Sequence, residues 1–332
     1  MAKSQPNVSV ISLNFNGKKF LDKHYTSLLN QSYSNFETIL VDNASTDGSV
    51  EFVKKNFSKV KIVKSKINEG PVLGYIKGVK SASDKSKYIV ICGNDTHFDR
   101  DWLKKQVEVM EKDEKIGICG GRQMNYKGTA EINFGIPLDM FGYPTFGNKF
   151  FYIDGVAIML RHKAYKDSGG FDERYWVYGE ESDLVWRVRL LGYKVVRVSS
   201  SIFYHLGGAT LDKKSNSSET QTTAHKRYLT ERNTLCTLLK NYSSIMLFII
   251  IPTFLIMNLV EGVIFTLIGR PSLLISHVRA WIWNVMNIQE TIKKRRHIQN
   301  KRKVSDSEII KNMYYGWGKA RSVLKVGVPK IS

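Results

Sequence analysis

The stretch VSVISLNF (Val8 to Phe15), the segment Lys18 to Gln31 and the stretch FETILVD (Phe36 to Asp42) together decide the fold. The first and last are short, nearly continuous apolar runs rich in β-branched residues, as expected of strands buried on both faces. Between them, Phe20, Leu21, Tyr25, Leu28 and Leu29 recur at three- and four-residue intervals, the apolar stripe of a helix. The alternation continues with a helix around Val50 to Phe57, the strand VKIVKSK, a helix over Gly70 to Ser83 and the strand YIVICGND (Tyr88 to Asp95). Such repetition predicts an α/β fold, a mostly parallel sheet with helices on both faces.

In an open α/β sheet, ligands bind beyond the carboxyl ends of the strands. Polar residues fall there three times: Asn14 and Asn16 after the first strand, Asp42 and Asn43 after the second, Asn94 and Asp95 after the fourth. An Asx residue after a strand also starts a turn, so each position has a second reading. Three strands delivering amides and carboxylates to one rim point to a site.

Beyond residue 115 the pattern is mixed. KIGICGG and a Gly/Pro/Phe-rich stretch to Asn148 lead to FYIDGVAIML and GGFDERYWVYGEESDLVWRVRLLGY, which turns helical near Ser182. KVVRVSSSIFYHLGG then reads as a strand ending at His205. The polar run DKKSNSSETQTT (Asp212 to Thr223) reads as a loop, either solvated or a lid over the site.

The final quarter differs in kind, and a boundary near residue 238 separates a domain over 1–238 from a region over 239–332. IMLFIIIPTFLIMNLVEGVIFTLI (Ile245 to Ile268) is the most apolar window, about 36 Å long as a helix and enough to span a bilayer. Pro252, Asn258, Glu261 and Gly262 interrupt it, which predicts a broken, re-entrant or interface-lying helix. Trp281, Ile282, Val285 and Ile288 then share one side of a basic amphipathic segment, and KKRRHIQNKRK (Lys293 to Lys303) suits anionic headgroups. An apolar face packed on the rest of the protein is the competing reading.

Composition sets the limits. The chain has 332 residues, 42% hydrophobic, 24% charged and seven prolines, which excludes a disordered or collagen-like polymer. Its net charge of +20 calls for an anionic partner: nucleic acid, a phosphorylated metabolite or an acidic membrane surface. From Arg270 onward, 14 Lys+Arg stand against 3 Asp+Glu, so the excess is densest behind the apolar window. No recognisable nucleic-acid module accompanies it, and nucleic acid is not expected as a partner. Cys92, Cys119 and Cys236 lie far apart without metal-type spacing, which argues against a disulfide framework or zinc ribbon. The start MAKSQPNVSVISLNF carries no secretory pattern.

Several phrases resemble, in order, those of glycosyltransferase family 2: VSVISLNFNG, ETILVDNASTDGS, NEG, ICGNDTHFDRDWL, GGFDERYWVYGEESDLVWRVRLLGY and YHLGGAT. The resemblance covers roughly residues 7 to 240 and is nearest to the rhamnosyltransferase-like branch. It implies the GT-A fold, a nucleotide-diphospho-sugar donor and transfer with inversion. It implies nucleotide contact for Asp42, with Asn14, Asn16, Asn68 and Asn94 as pocket walls. Asp95 and His205 would hold a divalent cation, Mn²⁺ or Mg²⁺, with imidazole favouring Mn²⁺. The family motif has two acids around a spacer; here it reads Gly93-Asn94-Asp95, and the first acid is missing. Glu181 takes the place of the catalytic base, where the family usually has Asp, and Asp183 would hold the loop or the acceptor. Carboxylates there would also serve a helix N-terminus.

The sequence thus predicts an inverting glycosyltransferase at the cytoplasmic face of the cell membrane, peripheral or re-entrant through residues 245–303. Its acceptor would be lipid-linked or a polysaccharide. A sugar nucleotidyltransferase on a similar core, and a non-catalytic membrane- or nucleic-acid-binding protein, are the alternatives. No glycine-rich, lysine-bearing phosphate loop supports the former.

Overall fold

The computed structural model describes residues 7–133, 135–207, 221–326 and 330–331. Most of the Asp212 to Thr223 run therefore lies outside the described residues. The chain forms two compact units whose segments interleave: residues 1–135, 153–176 and 193–213 in the first, and 136–152, 177–192 and 214–332 in the second.

The first unit begins with the expected alternation: β1 (Val8–Asn14), α1 (Lys18–Leu29), β2 (Phe36–Asp42), α2 (Ser49–Asn56), β3 (Lys61–Lys64), α3 (Gly70–Ser81) and β4 (Tyr88–Gly93). It continues with β5 (Thr96–Phe98), α4 (Trp102–Lys112), β6 (Ile116–Asn125), β7 (Glu131–Asn133), β8 (Ala157–Arg161), α5 (His162–Asp167) and β9 (Lys194–His205). The strand order is β3-β2-β1-β4-β8-β6-β9-β5, with β7 beside β6. β3, β2, β1 and β4 run parallel. β8 enters antiparallel between β4 and β6, and β5 pairs antiparallel with β9. The sheet is thus parallel where helices alternate with strands and mixed beyond.

Val8 and Val10 of β1 pack with Leu21, Tyr25 and Leu28 of α1 and with Trp102, Val107 and Met110 of α4 in one buried cluster. His24 lies fully buried against it. Burial drives its imidazole down to about pKa 4, so it is neutral. Its Nε2 meets Ser12 Oγ at 2.7 Å and its Nδ1 meets the Thr96 carbonyl at 2.9 Å. One neutral ring thereby fixes the start of β5 against β1.

The second unit contains α6 (Glu180–Leu190), β10 (Gln221–Thr222), α7 (Ala224–Asn241), α8 (Ser244–Leu267), α9 (Pro271–Met286), α10 (Ile288–Lys301), α11 (Asp306–Lys311), α12 (Gly318–Val326) and β11 (Lys330–Ile331). The boundary expected near residue 238 falls inside α7. Residues 177–192, expected with the first domain, pack instead with the helical part, because Asp183 of α6 is bound to Lys240 and Asn241 of α7.

α8 is continuous rather than broken. Pro252 withholds the donor that would meet the Phe248 carbonyl, yet the helix runs on from Ser244 to Leu267, with Ile250 and Phe254 beside the proline buried. The basic run is partly consumed inside the fold. Arg295 Nη1 donates to the Leu239 carbonyl at 2.7 Å and Gln299 Nε2 to those of Lys240 and Asn241 at 3.0 Å, satisfying the open carbonyls at the end of α7.

Candidate active site

The carboxyl ends of β1, β2 and β4 meet as a hydrogen-bonded frame. Asn14 Nδ2 donates to Asp42 Oδ1 at 3.0 Å and to Ser45 Oγ at 2.9 Å, and its Oδ1 accepts from Asn94 Nδ2. Asp42 Oδ2 accepts from the Ser45 amide at 3.0 Å. Asp42 is 3% exposed; each of its oxygens accepts one of these bonds and retains a lone pair for a ligand. Asn16 adopts φ 49° and takes the Thr46 amide on Oδ1 at 2.8 Å. Gly17 is required by close approach, since a Cβ there would stand 1.9 Å from Asn94 Nδ2.

A second amide staple closes the next side. Asn43 Nδ2 donates to Asn68 Oδ1 at 2.8 Å and to the Gly70 carbonyl at 3.1 Å, while Asn68 Oδ1 also accepts the Gly70 amide at 3.0 Å. The Trp176 indole lies against Gly70: a Cβ at Gly70, whose φ is +82°, would meet Nε1 at 2.3 Å. Trp176 remains 44% exposed. The structure therefore brings Asn14, Asp42 and Asn94 into one frame and places Asn68 in a neighbouring one. Asn16 borders the first through Ser45, whose Oγ accepts its amide at 3.0 Å.

Asp95 follows β4, and His205 ends β9. The antiparallel register pairs Thr96 with His205, which brings His205 Nε2 to 3.3 Å from Asp95 Oδ2. A Cβ at Gly93 would stand 2.8 Å from Asp95 Oδ1, so glycine in place of the first acid leaves that carboxylate room. Adjacent ligands on an octahedral ion about 2.1 Å away sit about 3 Å apart, close to this spacing. A carboxylate oxygen and an imidazole nitrogen form a donor set suited to Mn²⁺.

Gln123, 4% exposed on β6, contacts the imidazole. Its Nε2 lies 2.8 Å from His205 Nδ1, and its Oε1 is buried with no hydrogen-bond partner. With the amide turned so that Oε1 accepts from Nδ1–H, the Nε2 lone pair would face Asp95, the tautomer that metal ligation needs.

Glu181 stands in the first turn of α6 and is partly exposed. Before it, Tyr178 and Gly179 both take positive φ, 70° and 86°. Asn233 Nδ2 from α7 holds this turn by donating to the Val177 and Tyr178 carbonyls at 3.0 and 2.7 Å. A bulky residue kept in the left-handed region by a buried amide is the kind of strain found at functional turns. Asp183 is fully buried. Its Oδ2 accepts from Arg187 Nη2 at 2.8 Å and Lys240 Nζ at 2.9 Å, and its Oδ1 from Asn241 at 3.2 Å. Of the two roles expected of Asp183, this geometry accommodates holding the loop; a fully enclosed carboxylate has no path to an acceptor.

Gln123 and Asn233 carry no signal in the sequence, because an isolated amide forms no motif, and Trp176 lies in the GGFDERYWVYGE phrase without a role assigned to it. Only the register of β9 and the packing of α7 bring the two amides to the site residues.

Family models for glycosyl transferase family 2 and for the N-terminal domain of galactosyltransferase match residues 9–169 and 133–207. An uncharacterized glycosyltransferase of Haemophilus influenzae is 34% identical over 110 residues, 32% of this chain and 43% of the relative. A putative teichuronic acid biosynthesis glycosyltransferase of Bacillus subtilis is 29% identical over 145 residues, 42% of this chain and 54% of the relative. The matched region thus spans about half the length of these relatives. Among solved structures, TarS of S. aureus in complex with UDP superposes with a TM-score of 0.52 at 18% identity, covering 71% of this chain and 66% of that one. The mannosyltransferase PcManGT from Pyrobaculum calidifontis, in complex with GDP-Man and Mn2+, gives 0.54 at 13% identity, covering 90% and 86%. At such identities the likeness establishes the fold. With the family phrases in order on a GT-A-like sheet, residues 9–169 match glycosyltransferase family 2.

Proposed function

We propose that the chain transfers a sugar, with inversion, from a nucleoside diphosphate donor to a hydroxyl of a lipid-linked or polysaccharide acceptor at the cytoplasmic membrane face. The observation that carries this reading is the convergence of Asp95 and His205 at the rim that also carries the Asn14–Asp42–Asn94 frame. The acceptor class follows the relative named for teichuronic acid biosynthesis.

Asp42, held by the amide of Asn14, binds the nucleoside, with Asn16, Asn68 and Asn94 as further pocket walls. Asp95 and His205 hold a divalent cation, Mn²⁺ or Mg²⁺, which offsets charge on the departing diphosphate. Glu181 removes the proton from the acceptor hydroxyl. The acceptor oxygen bonds to the anomeric carbon as the bond from that carbon to the diphosphate oxygen breaks, and the proton ends on the Glu181 carboxyl. The turn at 177–179, fixed by Asn233, sets where that carboxylate points.

Nucleoside diphosphate release from a panel of nucleotide sugars, with and without Mn²⁺, tests the reading. One donor turned over in a cation-dependent way supports it. Formation of a sugar nucleotide from a nucleoside triphosphate and a sugar phosphate, with no turnover of any donor, overturns it.

A further inference from the structure

α8 is the one helix among the described residues long and apolar enough to cross a membrane. Its two faces differ sharply. Ile250, Phe254, Asn258, Gly262 and Phe265 are buried, whereas Phe248, Ile256, Leu259, Val263 and Leu267 are exposed along its whole length. α9 repeats the division: Leu273, His277, Ala280 and Asn284 face inward, and Ile275, Val278, Ile282 and Val285 outward. The helices are joined through Ile268–Arg270 and approach closely at Gly262, where a Cβ would stand 3.2 Å from Leu274 Cα. Together they form a hairpin with one protein-facing and one continuous apolar outer side.

The protein-facing side is charged. Lys319 Nζ of α12 lies 2.7 Å from both Glu231 of α7 and Glu261 of α8. Arg227 Nη1 lies 3.3 Å from each carboxylate, and His277 of α9 sits between them at 3.6 and 3.4 Å. Asn258 bonds Glu231 and Lys319, and Tyr143 OH donates to Glu231. Among the described residues, Glu231, Glu261 and His277 form a group of three with the spacing of metal ligands, but Lys319 and Arg227 already balance the two carboxylates. The cluster is better read as a clamp of α8 onto α7, α9 and α12.

That clamp decides between spanning and lying flat. Asn258 and Glu261 fall in the second half of α8. A spanning α8 would carry Glu231, Arg227 and the polar helix α7 into the hydrocarbon, at prohibitive cost. An in-plane hairpin keeps them in protein and presents only the apolar side. The outer strip continues from Val285 through Ile288 and Ile292 and then turns basic, with Lys293, Arg296, Lys301 and Lys303 exposed. An apolar strip running into exposed cations matches the surface of an anionic leaflet.

We propose that α8 and α9 lie in the plane of one leaflet of an anionic membrane, pinned in that orientation by the Glu231–Glu261–His277–Arg227–Lys319 clamp. The inference deepens the membrane part of the function above and is independent of whether sugar transfer occurs.

The test uses the full chain. Flotation with phosphatidylcholine vesicles, with and without phosphatidylglycerol, is expected to show at least tenfold stronger binding to the anionic set. F248E/L267E, both on the outer side, is expected to lower binding at least tenfold while nucleoside diphosphate still raises the Tm, which separates this failure from failure of the transferase reading. In sealed vesicles, an impermeant maleimide is expected to label Ser244→Cys and Ser272→Cys from the same side; the native thiols are all buried. Labelling from opposite sides would overturn the proposal in favour of a span. Vesicle binding unaffected by F248E/L267E, or a soluble dimer dispersed by that pair, would overturn it in favour of a protein-packing face.

Discussion

His205 Nε2 stands 3.3 Å from Asp95 Oδ2, brought there by the pairing of β5 with β9. Both atoms can serve one cation, and Gln123 Nε2 lies 2.8 Å from the other ring nitrogen, Nδ1, where it can bias the tautomer. Asp95→Asn is expected to remove cation-dependent turnover, and His205→Gln to weaken it. Gln123→Leu leaves both ligands in place but frees the tautomer, so the Mn²⁺ concentration for half-maximal rate is expected to rise about tenfold, in line with losses when a ligand's hydrogen-bonding partner is removed. A Mn²⁺ titration of donor turnover reads all three. An unchanged midpoint in Gln123→Leu would remove that residue's role.

Glu181 and Asp183 are two positions apart and respond oppositely to amide substitution. Glu181→Gln keeps size and hydrogen bonding but cannot accept the acceptor's proton, so transfer is expected to be abolished while nucleoside diphosphate binding survives. Asp183→Asn leaves Arg187 and Lys240 buried without their anion, and the expected loss is stability, about 3–5 kcal/mol. Denaturant midpoints beside transfer rates separate the two. Full transfer by Glu181→Gln would refute its assignment as base.

The rim of Asn14, Asp42, Asn94 and Asp95 was legible because each residue directly follows a strand, and strand ends are marked by where the apolar runs stop. The parallel half of the sheet was legible for the same reason. The antiparallel entry of β8 was not, since FYIDGVAIML has the same apolar character in either direction. The boundary expected near residue 238 follows hydropathy, whereas the compact units interleave along the chain. Residues 177–192 join the helical unit partly through a polar contact, Asp183 with Lys240 and Asn241, which leaves no trace in an apolar profile, and partly through Trp186 against Tyr242. The interruptions in Ile245 to Ile268 predict a broken, re-entrant or interface-lying helix, and the first of these is not what forms. Asn258, Glu261 and Gly262 are instead its inward face, and only Pro252 taxes the backbone.

Asn233 acts on Glu181 through the backbone, holding the Val177 and Tyr178 carbonyls. Asn233→Ala frees both, and the left-handed turn is expected to relax. The transfer rate should fall about ten- to a hundredfold with little change in the KM for donor, since misplacing a catalytic group by about 1 Å costs on that scale. Steady-state kinetics with the donor varied at fixed acceptor tests it. A change confined to the donor KM would show that Asn233 serves binding instead.

His277 links the clamp of α8 to pH. Burial alone would lower its pKa, but Glu231 and Glu261 outweigh burial and raise it above the ordinary 6.5. Glu261 is held down at about 2: burial would raise it, and Lys319, His277 and Arg227 overcome that. Both carboxylates therefore stay ionised at neutral pH, and Tyr143, pushed up by burial and by Glu231, stays neutral. A group with a raised folded pKa binds its proton more tightly when folded. Its contribution to stability is complete below the unfolded pKa of 6.5 and is lost as pH rises through the folded value. The stability difference between wild type and His277→Gln, from urea midpoints, is therefore expected to be largest near pH 6 and to shrink steadily above it. A difference constant from pH 6 to 9 would mean that the imidazole holds α9 by packing alone, with no charge shared among Glu231, Glu261 and Lys319.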